Sequence, residues 1–159
     1  MASRNKSIGR KAEKKFVARL AERLGLIPLT KDKSGSNLSE AEIGRAEEIS
    51  QLLDNEGVDI WITPKSELSK FNIQIKSTLV TGKKVKSIDV SSLFEMPDKG
   101  INVVFTEMKY RPGKRNMIHL ADVVTLTLDD FLTLMSVYQA YQNGNDEKGN
   151  TCNSGGSET

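Results

Sequence analysis

The chain has 159 residues, enough for one domain with a substantial core, and its 37% hydrophobic and 28% charged residues are those of an ordinary folded protein. No apolar run reaches the roughly 18–20 residues of a membrane helix, and the basic, polar N-terminus lacks a signal-peptide core, so a cytoplasmic protein without a membrane partner is expected. One cysteine, Cys152, and one histidine, His119, exclude an internal disulfide, a cysteine cage and a multi-histidine metal centre. Carboxylates, amides and lysines must carry any chemistry. The net charge of +2 is unevenly spread, since residues 1–33 hold ten Lys and Arg against three acids. That asymmetry suits a polyanion, and equally a solvated helix face compensated by the acids of residues 40–56.

Ile8, Ala12, Phe16, Val17, Leu20 and Leu24 recur at helical spacing and predict a helix from Ser7 to Leu24, stopped at Gly25. Residues 31–38, with Ser34-Gly35-Ser36, read as a loop. Ser39 and Glu42 form a capping box, and Ile43, Ala46, Ile49, Leu52 and Leu53 predict a second helix to about Asn55. The period then changes to two. Val58, Ile60 and Ile62 are expected on one face of a strand, with Asp59, Trp61 and Thr63 on the other. After a turn from Pro64 to Lys70, Phe71, Ile73 and Ile75 alternate with Asn72, Gln74 and Lys76 in a second strand, paired with the first as an antiparallel hairpin. Residues 85–96 read as an extended piece (Val85, Ile88, Val90) and then a helical turn before Pro97. Strands are expected over Ile101–Lys109 and Met117–Ala121, joined by a turn at Arg111–Lys114, with Val123–Thr127 a short strand or a connection. Thr127 and Asp130 cap a last helix carrying Phe131, Leu132, Met135, Tyr138 and Tyr141 and ending near Asn143. The expected organisation is one domain over residues 1–142 and a disordered polar tail over 143–159.

Gln74 and Lys76 share one strand face, and the hairpin brings Asp59 beside them. Asp59, the Gln74 side-chain oxygen and the Ile75 carbonyl are hard oxygen ligands suited to Mg²⁺ or Mn²⁺. Lys76 adds a compact cation that can orient an attacking water or stabilise the charge developing on a phosphodiester. Glu13 falls inside the apolar face of the first helix, where it needs a partner such as the metal or Lys76, and Gly9 on that face permits close approach. Arg10, Lys11 and Lys14, then Lys83, Lys84 and Lys86, then Arg111, Lys114 and Arg115 suit a DNA backbone, although charged surface turns account for them equally well. Ser77 contacts a phosphate or satisfies the strand end. His119 alternates with apolar neighbours and reads as structural, and Trp61 as a core or contact residue. An Asp at a strand start or a polar-x-Lys pair is commonplace alone. Their order, spacing and shared face are what join them.

Gly9-Arg10-Lys11-Ala12-Glu13, Gly57-Val58-Asp59-Ile60 and Gln74-Ile75-Lys76-Ser77-Thr78 together resemble the PD-(D/E)XK nuclease superfamily, over roughly residues 7–80. The leading helix and the Lys-Ser-Thr ending look most like archaeal Holliday-junction resolvases, and Gln-x-Lys resembles the third motif of Mrr-type restriction endonucleases. The resemblance implies a restriction-endonuclease-like α/β fold, a mixed sheet flanked by helices in the order αβββαβ. It implies a Mg²⁺- or Mn²⁺-dependent endonuclease acting on DNA, in the resolvase version a homodimer on branched DNA with the last helix as a dimer surface. Val58 stands where the motif name has proline, and Gln74 replaces an acidic ligand with a neutral amide that compensates less metal charge. A nuclease-fold protein that binds nucleic acid without cutting it is the alternative.

Overall fold

The computed structural model describes residues 2–80, 88, 90–113 and 115–150, with side chains from Ile8 to Asn145 among them. Lys83, Lys84, Lys86 and Lys114, and most of the extended piece expected around Val85, lie outside the described residues.

The first helix, α1 (Ala2–Leu24), buries Ala12, Phe16, Val17 and Ala21, while Ile8 and Leu24 at the ends of the expected stripe are exposed. Gly25 ends it, with the Leu26 N–H bonding back to the Ala21 carbonyl at 3.0 Å. A small hairpin follows, β1 (Lys31–Asp32) with β2 (Gly35–Ser36).

The single helix expected from Ser39 to Asn55 does not form. Ile43–Arg45 is a strand, β3, followed by two short helices, α2 (Ala46–Ile49) and α3 (Gln51–Asn55). Glu42 accepts a hydrogen bond from the Ile27 N–H at 2.9 Å instead of closing a capping box. Leu29 donates to the Ile43 carbonyl at 2.8 Å, and Ile43 pairs with Ile62, so pairing on both sides outweighs a helical pattern. Ser50 is extended, separates the two helices and caps α3 by accepting from the Leu53 N–H.

The remaining elements are β4 (Ile60–Ile62), a 3₁₀ turn at Glu67–Lys70, β5 (Phe71–Val80), α4 (Ser92–Glu95), β6 (Ile101–Tyr110), β7 (Ile118–Thr125) and α5 (Leu128–Asn150). The segment Val123–Thr125 thus continues β7. The main sheet has the order β3-β4-β5-β6-β7. Only β5 and β6 are parallel, in register from Phe71 opposite Ile101 to Val80 opposite Tyr110, and the other pairs are antiparallel. This is the mixed α/β sheet flanked by helices that the sequence predicts.

One sheet face packs Ile43, Ile60, Ile62, Ile73 and Ile75 against the buried side of α1. Phe16 and Phe105 meet there with ring centroids 5.6 Å apart. Each such buried side chain contributes about 1.5–3 kcal/mol. The other face packs Val104 against Leu93 and Met96, joined by Leu53. Val58 belongs to this second cluster and not, as alternation predicts, with Ile60 and Ile62. The chain reverses its facing at Asp59, before β4 begins.

The chain divides into two compact units, Met1–Leu126 and Thr127–Thr159. In the second, Thr127 caps α5 by accepting from the Asp130 N–H at 3.1 Å and donating to its carboxylate at 2.8 Å. The helix continues past Asn143 to Asn150, because no proline intervenes and an interior glycine is tolerated at a cost of about 1 kcal/mol. Phe131, Leu132, Met135, Tyr138 and Tyr141 are exposed on it. Among the described residues, no helix is long and apolar enough to cross a membrane.

Candidate active site

Asp59 is held from three sides. Its N–H donates to the Ile73 carbonyl at 2.9 Å, and its carbonyl accepts from the Ala46 N–H at 2.8 Å. Its Oδ2 accepts from the Ile75 N–H at 2.6 Å, so a carboxylate occupies the place of the next acceptor in the ladder. In a strand the N–H and C=O of one residue project to the same edge, which turns the Ile75 carbonyl to the Asp59 side. Past Ile75, residues 76–80 of β5 pair with β6 and, among the described residues, with nothing on the opposite edge.

Asp59 precedes the pairing of Ile60 with Ile73 and meets β5 on either side of Gln74, through the Ile73 carbonyl and the Ile75 N–H. The Gln74 Oε1 is buried and has no hydrogen-bond partner among the described residues. Gly57 has φ +79°, a backbone conformation that favours glycine, and a Cβ there would make an ordinary 3.6 Å contact with the Gln74 Nε2. Burial pushes the Asp59 carboxyl up from 3.8 to about 6; the Ile75 N–H and the Lys76 charge oppose this, while Glu13 and Asp54 add to it by repulsion. Lys76 is half-buried, two residues along from Gln74 on the same strand face. Two oxygens with unused lone pairs and a neighbouring carbonyl fit a hard divalent cation.

Glu13 enters from α1, but its partner is Arg45 rather than Lys76. Arg45 Nε donates to Glu13 Oε2 at 2.7 Å, its terminal nitrogens pair with Glu47 and, at 3.3 Å, with Glu48, and Arg10 pairs with Glu47 in turn. The Arg45 side chain is 6% exposed. Burial alone would pull the guanidinium down, but Glu13, Glu48 and Glu47 hold it above its ordinary value. Sequence reading missed Arg45 by placing it in a helix. The available signal was the run Arg45-Ala46-Glu47-Glu48, in which opposite charges sit within one turn.

Of the candidate DNA contacts, Lys11 and Lys14 are exposed on α1 and border different hollows, Lys11 with Lys15 and Lys109, Lys14 with Lys31 and Arg45. Arg10 is engaged by Glu47. Ser77, Arg111 and Arg115 are exposed.

A second cluster was not foreseen. Glu107, His119 and Asp122 bring ligand atoms within 4.8 Å of one another, a grouping able to hold a metal ion. The register pairs Glu107 with Asp122 across β6 and β7. Each carboxylate is already engaged. Glu107 Oε1 accepts from Lys15 Nζ at 2.6 Å, and Oε2 lies 2.9 Å from Lys109 Nζ in an ion pair without hydrogen-bond direction. Asp122 pairs with Arg19 and, at 2.9 Å, with His119. Burial would raise both carboxyls, but Lys15 and Lys109 hold Glu107 below its ordinary value, and His119 and Arg19 do the same for Asp122. A cation entering here must displace positive charge, whereas at Gln74 and Asp59 it meets unused oxygen. No protein-family model matches the chain, and neither a curated protein nor a solved structure does.

Proposed function

We propose that this protein is a Mg²⁺- or Mn²⁺-dependent endonuclease centred on Asp59, Gln74, the Ile75 carbonyl and Lys76. The observation that carries this reading is the buried, unpartnered Gln74 Oε1 on the stretch of β5 whose Ile73 carbonyl and Ile75 N–H hold Asp59. An unsatisfied buried amide oxygen costs about 1–3 kcal/mol, and a divalent cation shared with the carboxylate removes that deficit. When bound, the ion neutralises phosphate charge and makes water more acidic. Asp59, fixed by the Ile75 N–H, and Gln74, packed on Gly57, orient the oxygens that hold it. Lys76 holds the attacking water or stabilises charge building on the phosphate. Glu13 adds negative charge beside Asp59 and favours a cation there. Lys11, Lys14 and Arg115 track the DNA backbone, and in the resolvase-like version a homodimer engages branched DNA.

Purified protein incubated with branched and linear DNA is expected to cleave with Mg²⁺ or Mn²⁺, not with EDTA, and not as Asp59→Ala or Lys76→Ala. Cleavage surviving both substitutions puts the centre elsewhere. The engagement of Glu13 by Arg45, which takes one carboxylate away from the metal, favours a second reading in which the fold binds nucleic acid without cutting it. Wild-type protein that binds these substrates and never cuts them establishes that reading instead.

A further inference from the structure

A hollow of about 350 Å³ lies where α1 meets β6 and β7, lined chiefly by Lys11, Lys15, Glu107, Lys109 and His119. Only 2% of the Glu107 side chain is exposed, yet two ammonium groups converge on it, Lys15 Nζ from α1 at 2.6 Å and Lys109 Nζ from β6 at 2.9 Å. A lysine ammonium has three N–H donors. Lys15 gives one to Glu107 Oε1, and Lys109 meets Oε2 without hydrogen-bond direction, so each keeps at least two donors without a partner among the described residues.

Positive charge here exceeds what the fold balances. Lys11 precedes Lys15 by four residues on α1, borders the same hollow and has no ion-pair partner among the described residues. Lys109 stands directly opposite another basic residue, His119, in the β6–β7 register. Like charges one helical turn apart, or facing across a strand pair, oppose folding. The other carboxylate of the cluster, Asp122, is already engaged by Arg19 and His119. Three lysines thus share one buried carboxylate, more than an ion pair between elements requires, and an anion from outside completes the balance.

We infer that this hollow is a phosphate subsite that takes one backbone phosphate of a bound nucleic acid on Lys15 and Lys109, with Lys11 beside them. Glu107 is the buried counter-charge that brings the two ammonium groups together. The subsite needs no metal, and only the choice of nucleic acid over another phosphate rests on the nuclease reading above. In the parallel register Glu107 lies opposite Ser77, two residues past Ile75. The hollow therefore stands about 7 Å along the strands from the Ile75 carbonyl, the rise of about two stacked nucleotides.

The test measures duplex DNA binding by the full chain in EDTA, where nothing is cut, over a series of NaCl concentrations, with thermal unfolding followed in parallel. Variants are made in a Glu107→Gln background, in which removing a lysine leaves no unpaired buried charge. Lys15→Gln with Lys109→Gln is expected to lower the slope of log affinity against log salt by about one, the counterion release of one neutralised phosphate, on every sequence tested. Lys31→Gln with Lys33→Gln removes as much charge from the β1–β2 hairpin and should leave the slope unchanged. A loss of about two for the first pair means two separate contacts instead of one subsite, and no loss means solvated lysines. Either overturns the inference while DNA binding and the metal centre stand. Should that variant not fold, Lys11→Ala in the wild-type chain takes its place, and an unchanged slope overturns the inference. If wild type binds no DNA, the nuclease reading and the nucleic-acid occupant both fall. Sodium phosphate, compared with chloride at equal ionic strength, then separates a free-phosphate site, where it raises the thermal midpoint of wild type alone, from no subsite, where it raises neither.

Discussion

Burial holds the Asp59 carboxyl at about 6, against 3.8 for an ordinary aspartate, so between those values the folded chain keeps a proton that the unfolded chain has released. Stability attributable to this group is present below 3.8 and is lost as pH rises to about 6. Asp59→Asn retains an oxygen for the Ile75 N–H and never ionises. Without metal it is expected to exceed wild type in stability by about 2 kcal/mol near pH 8 and to match it near pH 3.5, as measured by denaturant unfolding at both. Equal stability near pH 8 would mean that water already solvates the carboxylate. Mn²⁺ affinity should rise as pH passes through about 6, which titration at fixed ionic strength measures. Lys76→Ala should slow DNA cleavage about 10²–10³-fold with little change in the unfolding midpoint, since the lysine is half-buried at an open strand edge.

At the scale of elements, the β4–β5 hairpin was legible because period-two alternation and a polar turn are local properties. The segment from Ser39 to Asn55 was not. Ile43, Ala46, Ile49 and Leu53 satisfy a helical period, and only the pairing of Ile43 with Ile62 shows that the first of them belongs to a strand. The same limit hid Arg45. Gly100, which leads into β6, has φ +92°, and a Cβ there would meet the Lys70 carbonyl oxygen at 2.2 Å. Gly100→Ala should therefore destabilise the fold by about 2 kcal/mol or more, read as a lower thermal midpoint by circular dichroism. The ion pairs of Lys15 and Arg19 with Glu107 and Asp122 tie α1 to β6 and β7. Glu107→Gln tests that tie. Its lysine partners remain partly exposed, so the expected cost is about 1–2 kcal/mol rather than that of a fully buried pair.

At the scale of the whole molecule, α5 carries Phe131, Leu132, Met135, Tyr138 and Tyr141 exposed along its length. A helix with that much uncovered apolar surface gains by covering it. If the resolvase-like assembly holds, sedimentation equilibrium returns a dimer mass, and the double variant Phe131→Asp, Tyr138→Asp returns a monomer. The sequence by itself determined that no multi-cysteine or multi-histidine centre exists, that Asp59, Gln74 and Lys76 belong to one hairpin, and that Thr127 starts the last helix. These follow from composition and from periods of two and 3.6, which neighbouring residues carry among themselves. Only the tertiary structure decided the parallel pairing of β5 with β6, the meeting of Glu13 with Arg45, and the placing of Glu107 beside Asp122. The first two join segments distant along the chain, and the third depends on the register between β6 and β7. Local patterning specifies the face a side chain occupies but not the partner that meets it there.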